Sequence, residues 1–145
     1  MIYLGIDPGK GGGISAIWDD GVYAGSASLK AMTNHDVAEW LRQFDLLGCS
    51  CLIEKVHSSP QMGVKSAFSF GQSLGFLEGL LTGLQVPYEY IRPQEWQKAM
   101  KCLSGGDKNV TKAAAQRLFP MAKVTHAIAD SMLIAEHGRR RHMDG

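Results

Sequence analysis

Apolar and polar positions along the chain predict a β-rich first part and a helical remainder. Ile2, Leu4 and Ile6 alternate with their neighbours in a short run that ends on Asp7. Gly13–Trp18 and Val22–Ser28 are two further β-rich runs, and Asp19-Asp20-Gly21 between them is a hairpin signal. Three antiparallel strands are therefore expected by residue 28. From residue 34 the period lengthens: Val37, Trp40, Leu41 and Phe44 recur at three, four and three, which predicts a helix over Asn34–Leu47. Asn34 suits its N-cap and Gly48 its stop. Cys51–Val56 returns to a short apolar run, a strand that a helical crossover would lay parallel to the first.

A long helix is expected over residues 64–82, then a strand at Val86–Ile91 and a short helix opened by Pro93. Trp96 in that helix reads as a core anchor rather than a base-stacking platform. A helix over Lys108–Leu118 has Asp107 as its cap and Pro120 as its end, and a last one spans about Thr125–Arg140. The long helix has an unusual period: Gly63, Ala67, Gly71, Gly75, Gly79 and Gly83 recur every four residues. Each interior glycine costs about 1 kcal/mol relative to alanine, so the repeat points to close backbone approach, against the sheet or a second copy. Phe68, Phe70, Leu74, Phe76, Leu77, Leu80 and Leu81 exceed what one buried face needs, which favours a homodimer through residues 64–82. Lys65, Ser66, Gln72, Ser73 and Glu78 exclude a membrane-spanning role for this helix.

The candidate chemistry lies where these elements end. Asp7 closes the first strand and Glu54 ends the fourth, so a parallel pair would carry both acids to one sheet edge. Taken singly, each has a plainer role: Asp7 bonding the backbone of its own Asp-Pro-Gly turn, Glu54 pairing with Lys55. In the last helix His126 and Asp130 are four apart and project from one side. Singly these too have plain readings, a surface imidazole and a carboxylate at a helix N-terminus. Together the four make an oxygen-and-imidazole set that suits a hard divalent ion such as Mg²⁺ or Mn²⁺. Two such ions about 3.5–4 Å apart support in-line displacement at phosphorus.

At 145 residues with 45% hydrophobic and 20% charged positions, the chain fits a single domain over 1–145. No apolar run reaches the roughly 18 residues that span a bilayer, and no leader pattern opens the chain, so a cytoplasmic protein without membrane attachment is expected. Cys49, Cys51 and Cys102 form no CxxC pair; buried thiols are expected rather than a zinc site with His57. Net charge is +1, yet residues 1–91 carry five Lys/Arg against nine Asp/Glu, and residues 92–145 ten against five. An acidic half with strand-end carboxylates and a basic half is compatible with a nucleic-acid-facing surface. The candidate contacts are Lys10, His57, Lys101, Lys108, Lys112, Arg139 and Arg140. Gly9-Lys10-Gly11 lacks the order of a Walker phosphate loop, and no nucleophile elbow is present.

Leu4-Gly5-Ile6-Asp7-Pro8-Gly9, the strand Leu52-Ile53-Glu54, and Ala129-Asp130-Ser131 in a final helix resemble RuvC-type Holliday junction resolvases, especially small phage-borne members. The likeness runs through the chain in order. It implies an α/β, ribonuclease H-like fold: a five-stranded mixed sheet, three antiparallel strands then parallel ones, flanked by helices. It also implies a homodimer that cuts four-way junctions and other branched DNA with Mg²⁺, and Asp7, Glu54 and Asp130 as metal ligands; phage origin would place it in the host cytoplasm. Bacterial relatives usually carry another acid three residues before the last; here that position is Ala127, and His126 is the substitute on the same helical face. The position where family members can carry an aromatic wedge is His57. Two other readings stand beside this one. One is a fragment of an actin-like ATPase, whose first hairpin looks similar; the other is a non-catalytic DNA-binding module of the same fold.

Overall fold

The computed structural model describes residues 1–56 and 59–144. Five strands, β1 (Ile2–Asp7), β2 (Gly13–Trp18), β3 (Tyr23–Ser28), β4 (Ser50–Glu54) and β5 (Tyr88–Ile91), form one sheet in the order β3-β2-β1-β4-β5. The first three are antiparallel, and β4 and β5 run parallel to β1. The helices are α1 (Asn34–Arg42), α2 (Val64–Gly83), α3 (Pro93–Ala99), α4 (Lys108–Leu118) and α5 (His126–Asp144). This is the expected mixed sheet flanked by helices.

Alternation along β1 sorts its side chains between two cores. Ile2, Leu4 and Ile6 join Cys51 and Ile53 of β4 in a core with Val37 and Leu41 of α1 and Leu77 and Leu81 of α2. On the other face, Leu52 of β4 packs with Trp96 of α3, Ala114 and Ala115 of α4, and Met132 and Leu133 of α5. Odd-numbered Tyr3, Gly5 and Asp7 belong to this second face. Gly5 is what lets α5 lie on it: a Cβ there would fall on the Ser131 carbonyl and the Ala135 amide, with the Ala135 Cα at 2.9 Å. Gly13 does the same one strand over, where a Cβ would stand 2.5 Å from the Ala127 carbonyl and 3.1 Å from the Ile128 Cα. Buried Ser15 and Ser131 join β2 to α5 through a 2.6 Å hydroxyl pair, and Ser26 of β3 bonds Ser15 at the same distance.

Local chemistry moved two expected boundaries. Thr33, not Asn34, caps α1: its hydroxyl accepts from the Asp36 amide while Asp36 accepts from the Thr33 amide, a reciprocal box. The helix ends at Arg42 rather than Leu47, and Gly48 serves a later turn at φ +75°. Trp40 and Phe44 still pack together, with ring centroids 5.0 Å apart. A short 3-10 turn at Leu29–Ala31, capped by Ser28, was not legible in the hydrophobic pattern. All three cysteines are free and buried, as expected. No described helix is long and apolar enough to cross a membrane.

Candidate active site

Strand register brings the first two acids together. Ile6 pairs with Ile53 in the parallel β1–β4 ladder, so the next step up both strands sets Asp7 beside Glu54. Neighbouring strands lie about 5 Å apart, and both residues fall on the α5 face by alternation. Asp7 also pairs with Gly13 of β2, the glycine against which the first turn of α5 packs. That contact fixes the height of α5 on the sheet and carries Asp130 toward the same edge. The turn after β1 is held by the Gly12 amide donating to the Gly9 carbonyl at 3.2 Å, with Gly9 at φ +106°.

The three carboxylates sense one another. Burial pushes the Asp7 carboxyl up to about 8, and the nearby charges of Glu54 and Asp130 push it the same way. Burial also raises Glu54; a hydrogen bond from Trp96 opposes the rise and Asp130 adds to it. Asp130 is raised by burial, against the Thr111 hydroxyl and the positive charges of Lys108 and His126. Lys108, at the start of α4, lowers both Asp7 and Asp130 and is therefore a cation that the fold brings to two of the acids.

Among the described residues, no three His, Cys, Asp or Glu side chains stand close enough to hold one ion as they are. The donor set nevertheless fits a hard divalent cation. Three carboxylates at one sheet edge, each discouraged from ionising by burial, are the groups that a bound cation would stabilise in the charged form. His126 opens α5 and is exposed, at the margin of this group.

The other candidate contacts are scattered. Lys10 is exposed in the β1–β2 turn, Lys101 is exposed just past α3, and Lys112 is half-buried on α4. His57 lies outside the described residues. Arg139 and Arg140 are held by Glu136 of their own helix: the Arg139 side chain donates at 2.6 Å and Arg140 at 3.2 Å. Arg139 also donates to the Asp19 carbonyl at 3.3 Å. The spacings of three and four between Glu136 and these arginines were a readable sign of that pairing.

Sequence reasoning missed two polar neighbours of the acids. The fully buried Trp96 is a core anchor, as expected, but its indole Nε1 also donates to Glu54 Oε2 at 2.8 Å. Thr111, buried on α4, stands beside Asp130. No spacing rule links residues so far apart in the chain; both depend on how α3 and α4 fold back.

The sequence matches no family model and no curated protein. The fold is similar to that of Thermus thermophilus RuvC, with a TM-score of 0.74 at 17% identity over 99% of this chain and 97% of that one. A second structure, T. thermophilus RuvC in complex with a Holliday junction substrate, gives 0.72 at 16% identity over 99% and 96%. The likeness establishes a RuvC-type, ribonuclease H-like fold along essentially the whole chain.

Proposed function

We propose that this chain is a divalent-metal-dependent endonuclease that cuts Holliday junctions and other branched DNA by hydrolysing phosphodiester bonds. The observation that carries the reading is the convergence of Asp7, Glu54 and Asp130 on one edge of a RuvC-type sheet, with charges that couple. Asp7, Glu54 and Asp130 would hold Mg²⁺, or Mn²⁺ in its place, with His126 as a fourth donor; two ions per site would accord with this chemistry. Such ions supply charge that favours attack of water at phosphorus and stabilises the leaving oxygen.

The chain's own residues do the positioning. β1 and β4 hold Asp7 and Glu54 on adjacent strands, and the Trp96 indole restrains one Glu54 oxygen. Thr111 and Lys108 flank Asp130, and Lys108 offers an ammonium to the negative phosphate. Lys10, Lys101 and Lys112 extend the positive surface for the backbone of the arms, whereas Arg139 and Arg140 would first have to leave Glu136. A protein acting on DNA in this way would work in the cytoplasm, that of the host if it is phage-encoded.

A homodimer through α2 fits the same reading. A Cβ at Gly71, Gly75, Gly79 or Gly83 would meet nothing among the described residues, so the glycine face is not spent on the sheet. Val64 and Phe68, on the same outward side, are 88% and 68% exposed. Two copies joined there would bring two sites to a four-way junction, one for each strand to be cut.

The RuvC likeness along the full chain supports the nuclease reading over an actin-like fragment. A non-catalytic DNA-binding module draws on one observation, that no three candidate ligands stand within reach of one ion. A cleavage panel of four-way junction, flap, duplex and RNA–DNA hybrid, with Mg²⁺ or Mn²⁺, separates the two. The wild type should cut branched DNA, and Asp7→Asn should abolish cutting while leaving junction binding nearly intact, because binding rests on phosphate contacts. Cation-independent cutting, or full activity in Asp7→Asn, would refute the proposal; binding without any cutting would favour the module.

A further inference from the structure

Two cavities of about 620 and 350 Å³ open on the inner side of α2. They share Gly9, Lys10 and Ser73 and so form one groove, which begins two residues past Asp7. Lys10, Lys30 and Lys65 line it, and among the described residues no Asp or Glu does. Phe70 and Phe76, both half-buried, give it an apolar floor. The Leu29 amide donates to the Gly12 carbonyl at 3.0 Å, tying the rim that carries Lys30 to the turn that carries Lys10. At about 100° per residue, Phe70, Ser73 and Leu77 lie on one side of α2 and Phe68, Gly71 and Gly75 on the other, with Lys65 and Phe76 between them on the bearing of Gly83. The groove thus borders the open glycine face along Lys65 and Phe76 and turns away from it at Phe70, Ser73 and Leu77.

We infer that this groove takes an unpaired DNA strand leading away from the cleaved phosphate, with lysines on its backbone and phenylalanine rings against its bases. The inference rests on the nuclease reading above and narrows its substrate to branched DNA with unpaired nucleotides at or beside the branch. A positively charged, acid-free lining beside a phosphodiester-cutting site is complementary to a continuing phosphate chain. The apolar floor selects the unpaired form. A duplex keeps its base faces stacked inside and would set phosphates against Phe70 and Phe76, whereas a single strand offers base faces that stack on aromatic rings.

The test uses the full-length chain carrying Asp7→Asn, so that binding is read without cleavage. Anisotropy compares a junction with one single-stranded arm, a fully paired junction and a plain duplex. Adding Lys30→Glu and Lys65→Glu should weaken binding of the single-stranded arm about tenfold and of the duplex less than about twofold. Removing the two contacts by Lys→Ala changes should shrink the single-strand salt slope by about 1.4. In the otherwise unsubstituted Asp7→Asn chain, 5-iodouracil in that arm should photocross-link to the peptide holding Phe70 or Phe76. Equal losses on all three substrates, or cross-links confined elsewhere, would overturn the groove assignment. A change in oligomeric state on charge reversal would also overturn it, giving the groove to a second copy. If the wild type binds and cuts junctions through any of these outcomes, the nuclease reading stands and only the groove fails; if it does neither, both fall.

Discussion

Glycines do opposite work on the two faces of this sheet. Beneath α5, Gly5 and Gly13 are filled to the backbone, and no side chain could stand there without lifting the helix that carries Asp130. Along α2, a Cβ at Gly71, Gly75, Gly79 or Gly83 would meet nothing among the described residues, although each glycine costs the helix about 1 kcal/mol relative to alanine. The first pair makes the acid cluster possible within one copy. The second set has no such contact among the described residues, and the proposed dimer would supply one. The same residue type thus allows close packing on one face and leaves open space on the other.

That contrast can be broken most sharply by substitution. Gly5→Ala should cost upward of about 3 kcal/mol or prevent folding, because its Cβ meets fixed backbone rather than a movable side chain. Gly75→Ala should instead stabilise the isolated helix by about 0.5–1 kcal/mol while weakening self-association. Urea unfolding and sedimentation read the two effects; equal destabilisation at both positions would erase the distinction.

A second prediction concerns pH. Folded Asp7 keeps its proton up to about pH 8, against 3.8 as its ordinary value. Between these values the folded state binds more protons than the unfolded, so stability of the metal-free protein should fall as pH rises. The slope is at most about 1.4 kcal/mol per pH unit from this group. Asp7→Asn should flatten the decline, and thermal melts from pH 4 to 8 measure it; an unchanged slope would mean that Asp7 ionises freely.

A smaller effect is expected at Trp96. Trp96→Phe keeps an aromatic anchor but removes the donor to Glu54, and should weaken Mn²⁺ binding about tenfold with modest loss of stability. Unchanged affinity in a titration would leave Trp96 as packing alone.

Much of this was legible in the chain because it follows from short-range rules. Period-two alternation ending on Asp7 and again on Glu54 foretold two acids at one edge, and the β1–β4 register bears out the parallel pairing. Asp130 was readable as a polar residue in an apolar helix. What escaped was long-range or competitive. Thr33 displaced Asn34 as cap because only Thr33 has Asp36 three residues on to complete the box. Trp96 reaches Glu54 because α3 turns back over the end of β4, a closure that no local pattern encodes. The helical glycine repeat was conspicuous, but only the structure removed the sheet as its partner.

The central claim is that Asp7, Glu54 and Asp130 form one cation site. Calorimetric Mn²⁺ titration of the wild type, Asp7→Asn, Glu54→Gln and Asp130→Asn at pH 7, in two buffers of different ionisation enthalpy, tests it most directly. Binding by the wild type should release protons, because Asp7 holds one until the cation arrives. Each variant should bind markedly more weakly, and Asp7→Asn should release fewer protons. Wild-type affinity retained in all three variants would contradict a shared site.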